Sequence, residues 1–316
     1  MAKRGRAARA VAITLAVGVI AGLAACTATL GGTDNDASAI ATAVEHIHGL
    51  GADPATGETY AATHNGVWLI PTGALPDTYL TGAQRDTVSE PTQIAGRAQD
   101  TMGFTVAGPG LLLGSGHPDP TEQPNLNPPN LGLISSSDGA ETWESISLHS
   151  ETDFHDLATV PLSNGELRIY GYDASDGVVK ISDDTGVTWS SGAIVQLRDL
   201  LADPSNPDRV FATTRDGLVV SEDAGRSFTG VADAPALFLV DAIDPQAGGG
   251  FIGVDTAGAV WHKDATTGFW SKSGQAEGAL EAFAYIGGGA PWILVADQRG
   301  IVASDDFGAS WTVLVP

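Results

Sequence analysis

The octapeptide Ser182-Asp183-Asp184-Thr185-Gly186-Val187-Thr188-Trp189 recurs along the chain with a spacing that decides its fold. Its pattern, S-x-D-x-G-x-T-W, returns at 221–228 and 304–311, and looser copies lie at 136–143 and 263–270. Steps of 46, 39, 41 and 42 residues separate the aspartates of successive copies, which are Asp138, Asp184, Asp223, Asp264 and Asp306. A period of about 40 residues is typical of repeat architectures such as solenoids and propellers.

Each part of the octapeptide suits a tight hairpin. The aspartate can accept backbone N–H bonds across its own turn, and the glycine can adopt positive φ at little cost. The hydroxyl residues add local hydrogen bonds, and the closing Trp or Phe begins the next strand with a large apolar side chain. The repeated pattern therefore predicts a series of similar β-hairpins.

With three good copies and two looser ones, the chain resembles the Asp-box (BNR-repeat) sialidase-like β-propellers. This resemblance implies that each box joins the last two strands of a blade, on the face away from the active site. It implies a structural role, not a catalytic one, for Asp138, Asp184, Asp223, Asp264 and Asp306.

Strand-forming segments continue from residue 45 to residue 316. Short runs of Val, Ile, Leu, Phe and Tyr alternate with Asn-Gly, Asp-Gly and Pro turns, and no long helical pattern interrupts them. The segment divides into six units of about 45 residues, each with four strands and, except in the first, an octapeptide before the fourth. We predict an all-β, six-bladed β-propeller formed by 45–316 as one domain; seven blades would need a unit that we do not find.

The N-terminal segment has the pattern of an export signal. Four basic residues precede an apolar stretch at 11–23, which ends in Leu-Ala-Ala-Cys at 23–26. This ending resembles a bacterial lipobox, which implies a lipoprotein signal peptide at 1–25 and a lipid on Cys26, the only cysteine of the chain. The alternative is an ordinary signal peptide with an incidental cysteine. We predict a flexible tether at 26–44 and a protein anchored to the outer face of a bacterial cell membrane.

The charge of the remaining chain limits its partners. Without the signal, 11 basic residues stand against 38 acidic ones, a net charge of −27. Such a surface repels nucleic acid and favours cations, so no nucleic-acid partner is expected.

Five histidines and one methionine are predicted to gather at one end of the propeller. Alignment of the first strands, which line the channel of a propeller, places His48, Met102 and His155 at one height. His46 shares a strand face with His48, and two more histidines end second strands, at the end of the blade where first strands begin. The predicted set is His46, His48, His64, Met102, His117 and His155.

Imidazole and thioether groups together suit a transition metal such as copper or zinc. The alternative is that these side chains are ordinary channel residues bonded to carbonyls and water. Three nearby aspartates are either partners of the imidazoles or turn formers: Asp100, Asp153 and Asp156.

The segments that carry these histidines, such as His46-Ile47-His48-Gly49-Leu50, resemble a family of bacterial lipoproteins often labelled glycosyl hydrolase-like. Sialidases share an arginine triad and an Arg-x-Pro motif; this chain has no Arg-x-Pro and places only Arg198 in the predicted channel, which argues against sialidase activity. We predict a lipid-anchored propeller that binds a ligand, a transition metal ion, on its histidine-rich face. A glycan-binding or glycoside-hydrolysing propeller of the cell envelope, and an assembly scaffold for a membrane complex, are the alternatives, and catalysis stays open.

Overall fold

The computed structural model describes residues 44–80 and 88–316. The predicted signal peptide, Cys26 and all but the last residue of the predicted tether lie outside these residues. Along the described ranges, no helix reaches the length and apolarity needed to span a bilayer. The strands are β1 (Ile47–Ala52), β2 (Thr59–Thr63), β3 (Gly66–Leu69), β4 (Thr92–Gln93), β5 (Asp100–Gly108), β6 (Leu111–His117), β7 (Leu133–Ser136), β8 (Glu144–Ser147), β9 (Phe154–Pro161), β10 (Leu167–Asp173), β11 (Val178–Ser182), β12 (Ser190–Ile194), β13 (Leu197–Ala202), β14 (Val210–Thr214), β15 (Gly217–Ser221), β16 (Thr229–Gly230), β17 (Leu237–Ala242), β18 (Gly250–Asp255), β19 (Ala259–Asp264), β20 (Trp270–Gln275), β21 (Ala282–Gly287), β22 (Trp292–Asp297), β23 (Gly300–Ser304) and β24 (Thr312–Val315).

The strands form six antiparallel sheets of four, and each sheet takes its strands from one continuous stretch of chain. The first strands of the sheets, β1, β5, β9, β13, β17 and β21, are neighbours around a ring in which β21 lies beside β1. The last blade is completed by its own strand β24, which pairs with β23, so the ring closes without an exchanged strand. The prediction of an all-β, six-bladed propeller is confirmed.

The core lies between the blades. Among the described residues, each of six apolar clusters spans one seam between neighbouring sheets. Tyr170 of the third blade packs with Val210 of the fourth, and at the closing seam Leu50 of the first blade packs with Leu294 of the last. Burial of a large apolar side chain stabilises the fold by about 1.5–3 kcal/mol, so these seams hold the ring together without a disulfide.

The octapeptides form hairpins between the third and fourth strands of blades two to six. In the copy at 182–189, the Ser182 Oγ accepts a hydrogen bond from Gly186 N at 2.8 Å and donates one to the Asp184 carboxylate at 2.8 Å. Thr188 donates to the same carboxylate from its N and its Oγ1, at 2.8 and 2.6 Å. These bonds, with those from Thr188 first, lower the pKa of Asp184 to about 2. Atoms of the octapeptide supply these inner bonds, and Ser147 of the preceding blade adds one by donating its hydroxyl to the Gly186 carbonyl.

Strand register separates the two faces of the ring. In the first blade Ile47, at the start of β1, pairs with Thr63, at the end of β2, and the opposite end of β1 pairs with the start of β2. The third strand begins beside Thr63 and runs the other way, so the octapeptide after a third strand lies at the far end of its blade. We call the end that holds the start of β1 and the end of β2 the histidine face.

Candidate metal centre

A β-bulge near the start of the first strand recurs in five of the six blades. In β1, residues 47 and 49 pair with consecutive residues of β2, which leaves His48 as the extra residue. The same shift in pairing between the first and second strands leaves one extra residue near the start of the first strand in each of the next four blades. These residues are Met102, His155, Arg198 and Phe238. A bulge bends the strand and redirects the side chain of the extra residue. The residues predicted at one height are therefore placed by a repeated backbone irregularity and not by regular alternation.

Four of the five bulge residues line one cavity at the mouth of the channel. This cavity has a volume of about 280 Å³ and is lined by His48, Met102, His155, Tyr172, Leu197 and Arg198. It is the place where side chains of four consecutive blades meet on the histidine face.

His48 also belongs to a compact group of potential ligands. Its Nε2 lies 3.3 Å from His64 Nδ1 and 3.8 Å from Asp100 Oδ1, and His64 Nδ1 lies 2.7 Å from that same oxygen. All three donor atoms lie within 4.8 Å of one another. Donor atoms around a tetrahedral ion with bonds of 2.0–2.1 Å are roughly 3.3 Å apart. The 3.3 Å between the two ring nitrogens matches the spacing of a metal site, whereas 3.8 Å is longer than that spacing and the 2.7 Å hydrogen bond is shorter, so an ion would have to replace this hydrogen bond.

Burial lowers the pKa of His48, the central residue of this triad. Removal from solvent, followed by the nearby charge of His64, lowers the pKa of His48 to about 4, although Asp100 acts in the opposite direction. His48 is therefore neutral at pH 7, so one of its two ring nitrogens carries no proton and can bind a metal. His64 is the most exposed of the three and forms the side of the triad that faces solvent.

The remaining histidines continue the group along the rim. Asp100 Oδ2 lies 3.4 Å from His117 Nδ1, and His117 Nε2 lies 3.5 Å from Asp153 Oδ2, which also contacts His155 Nε2 at 2.9 Å. Imidazoles and carboxylates thus alternate from the first blade to the third. The other oxygen of Asp153 is buried without a hydrogen-bond partner in the described part of the chain.

The structure brings all six predicted residues to the histidine face, but not in equal roles. His46 is exposed and lies at the edge, its ring 5.2 Å from that of His64. Met102 lines the cavity beside His48 and His155. That these side chains bind a metal stays a prediction.

The sequence had left three aspartates between two roles, and the structure separates them. Asp100 and Asp153 contact histidines, so Asp100 is a candidate ligand in its own right and not only a support for imidazole. Asp156 instead accepts a hydrogen bond from Leu200 N of the next blade. No sequence pattern distinguished the three, because each role depends on which blade lies opposite.

Below the mouth, the channel holds a second cavity of about 520 Å³ whose wall includes Asp156, Asp199 and Asp241. Each carboxylate accepts a backbone N–H from the first strand of the next blade, from Leu200, Val240 and Tyr285 respectively. Burial raises the pKa of all three, to about 6 for Asp156 and Asp241. These carboxylates therefore link neighbouring blades across three consecutive seams, although burial disfavours their charged form.

Comparison with solved structures returns β-propellers. The chain is similar to a GH74 enzyme from Niastella koreensis (TM-score 0.50, 16% identity, 83% of this chain and 36% of that one) and to a GH74 xyloglucanase from Xanthomonas campestris (TM-score 0.50, 16% identity, 84% and 45%). It is also similar to a chain of a nidogen–laminin complex (TM-score 0.53, 13% identity, 80% and 90%). No family model and no curated protein matches the sequence.

These similarities establish the propeller fold alone, because the identities are low. The chain spans less than half the length of either GH74 enzyme. The Asp-box and sialidase-like relationship remains a resemblance carried by the octapeptides.

Proposed function

We propose that this protein is an exported, lipid-anchored propeller that binds a divalent transition metal, copper or zinc, on its histidine face. The observation that carries the proposal is the convergence of His48 Nε2, His64 Nδ1 and Asp100 Oδ1 within 4.8 Å. Two imidazoles and a carboxylate make an open three-ligand set of the kind that leaves a position for a further ligand.

Three features favour a metal over ordinary channel residues. The low pKa of His48 keeps its imidazole neutral at pH 7, with one ring nitrogen able to bind a metal. Within the part of the chain that the structure describes, the hydrogen bonds of His48, His64 and His155 run to other side chains and none to a backbone carbonyl. The strong negative charge of the mature chain raises the local concentration of cations.

The neighbouring residues bear on which metal is bound. Met102 lines the same cavity as His48 and offers a soft thioether, which favours copper, whereas the imidazole and carboxylate groups serve zinc equally well. Export and anchoring rest on the Leu-Ala-Ala-Cys ending at 23–26 and on Cys26 being the sole cysteine.

To test the proposal, the metal-free protein is titrated in a calorimeter with Cu(II) and, separately, with Zn(II). The washed complex is then submitted to elemental analysis. Wild type should retain one ion per chain. A His48→Ala/His64→Ala variant should bind more than about 100-fold more weakly, since loss even of groups that only support metal ligands costs 10–100-fold. His155→Ala leaves the triad intact and should weaken binding less.

A matched control is His149→Ala, because His149 is an exposed histidine in the connection between β8 and β9, at the same end of the ring. Its metal affinity should equal that of wild type. Equal affinities in the double variant and in wild type would contradict the proposal.

A glycan-binding or glycoside-hydrolysing role is the alternative, supported by the fold shared with GH74 enzymes and by the channel cavity with its three carboxyl groups. Against it, each of these carboxylates already accepts a backbone N–H from the next blade. Binding of a xyloglucan oligosaccharide by a protein that takes up no metal would put this alternative first. The only support for a scaffold role is the fold that the chain shares with a chain of the nidogen–laminin complex.

A further inference from the structure

We propose that the cavity beside His48 holds a small carboxylate ligand, with one end on the bound metal and the other on the Arg198 guanidinium. This inference rests on the proposed metal site. In this proposal Arg198 is an anion-binding residue, and the protein binds a metal–carboxylate complex instead of a bare ion.

The first support is the position of Arg198. It is the bulge residue of β13, as His48 is of β1, and both side chains line the same cavity of about 280 Å³. The repeated bulge thus presents a metal ligand and a cation to one small volume.

The second support is the unused hydrogen-bonding capacity of the guanidinium. Arg198 Nη2 donates to the Glu281 carbonyl at 2.7 Å, and the Phe238 ring lies 5.2 Å from the guanidinium carbon. These contacts hold the group in place but use one of its five N–H donors. Within 44–80 and 88–316, no carboxylate forms an ion pair with Arg198 and no second hydrogen bond reaches it. A held guanidinium with free donors is suited to two-point recognition of a carboxylate.

The third support is the chemistry of the walls and the size of the cavity. Met102, Tyr172 and Leu197 give it apolar surface, which suits a short carbon skeleton between two polar ends. Its volume lies just below the range of about 300–1,000 Å³ that is usual for ligand pockets, so the ligand is small. The three protein donors of the metal site leave a position to which a carboxylate oxygen can bind.

Charge makes the binding of such an anion conditional on the metal. Asp100 and Asp153 lie on the rim, and the mature chain as a whole is strongly acidic, so a free anion is repelled from this face. The bound cation and Arg198 supply the positive charge on which an anion can bind at this cavity. The carboxylate should therefore bind to the metal-loaded protein and not to the metal-free one.

The experiment uses malonate as the probe and the Cu(II)-loaded protein in a non-coordinating buffer. Malonate is titrated while the visible absorption and the electron paramagnetic resonance spectrum of the copper are followed. In wild type a saturable spectral change should report entry of a carboxylate oxygen into the coordination sphere. In Arg198→Gln the apparent affinity for malonate should fall about 10- to 100-fold, because charge-assisted hydrogen bonds are lost.

Two further variants and one measurement serve as controls. Arg198→Lys retains the charge without the planar fork and should bind malonate with an intermediate affinity. Arg215→Gln removes a positive charge from an exposed turn of the same blade, at the same end, and should bind it as wild type does. The copper affinity without malonate is measured for each variant, so that a change in malonate binding is separated from a change in copper binding.

The outcomes separate this inference from the function on which it rests. Copper uptake with equal malonate affinity in wild type and Arg198→Gln, or malonate binding of equal strength with and without metal, would overturn only the inference. Failure of the wild-type protein to take up copper or zinc would overturn the proposed function and the inference together.

Discussion

Replacing Asp241 with asparagine should remove a loss of stability that the wild-type propeller suffers as pH rises from about 4 to about 6. The Asp241 carboxylate lies against the channel and accepts hydrogen bonds from Ala242 N and from Tyr285 N of the next blade, both at 2.7 Å. Burial raises the pKa of this carboxyl to about 6, and the two hydrogen bonds only partly offset that effect.

The sign and size of the effect follow from proton linkage. An unfolded aspartate has a pKa of 3.8, so between about pH 4 and pH 6 the folded protein holds a proton that the unfolded chain has released. The free energy of unfolding therefore falls as pH rises through this window; the contribution is fully present below pH 4 and lost above pH 6. At about 1.4 kcal/mol for each unit of pKa difference, the loss is about 2–3 kcal/mol, with the lower figure applying where channel water screens the charge.

The assay is urea unfolding of wild type and Asp241→Asn at intervals between pH 4 and pH 8. Asparagine cannot ionise, and the hydrogen bond that its amide group fails to accept costs the same at every pH. The difference between the two stability profiles should therefore move by about 2–3 kcal/mol in favour of the variant as pH rises. Asp216→Asn, in an exposed turn, should follow wild type throughout. Parallel profiles for wild type and Asp241→Asn would refute the account of the channel carboxylates.

Further changes test the anchor, the octapeptides and the packing between strands. Cys26→Ser should move the protein from the membrane fraction to the soluble one; a retained protein without lipid mass on its N-terminus would contradict the lipobox. Ser182→Ala removes a buried acceptor of a turn amide and should cost about 1–3 kcal/mol in urea unfolding, with metal affinity unchanged because the turn lies at the far end of its blade. Lost binding at full stability would put the octapeptides on the working face. Gly171→Ala would place a methyl group 2.5 Å from the Phe154 ring and should cost about 1–3 kcal/mol, whereas Gly230→Ala, with open space around it, should change the stability little.

The octapeptides made the fold predictable because their bonds are local. In the copy at 182–189 the carboxylate and the serine hydroxyl bond to donors no more than four residues away, so the octapeptide itself encodes the inner hydrogen bonds of the hairpin. Counting these copies, and the turns between them, gave the six blades and the face on which the histidines lie. The first blade has no copy, and it was predicted from its strand-forming segment at 60–70, its Asn65-Gly66 turn and the length of chain before the second blade.

The composition of the site was also present in the sequence, since the shared register of first strands selected His48, Met102 and His155. The geometry of the site could not be predicted from the sequence. The bulges that turn these residues toward one cavity are defined by pairing with a second strand. Asp100 and Asp153 each also contact a histidine of the preceding blade, His64 and His117 respectively.

The clearest division is between Asp100 and Asp156, which sit near the start of β5 and β9 and read alike in the sequence. One meets His64 across a seam, and the other meets the backbone N–H of Leu200. The sequence by itself therefore determined the propeller, its blade count and the residue types at the channel mouth, because hairpin and strand patterns are local. Only the closed ring decided which carboxylates serve the histidines and which serve the seams, because that choice depends on contacts between residues about 40 positions apart in the chain.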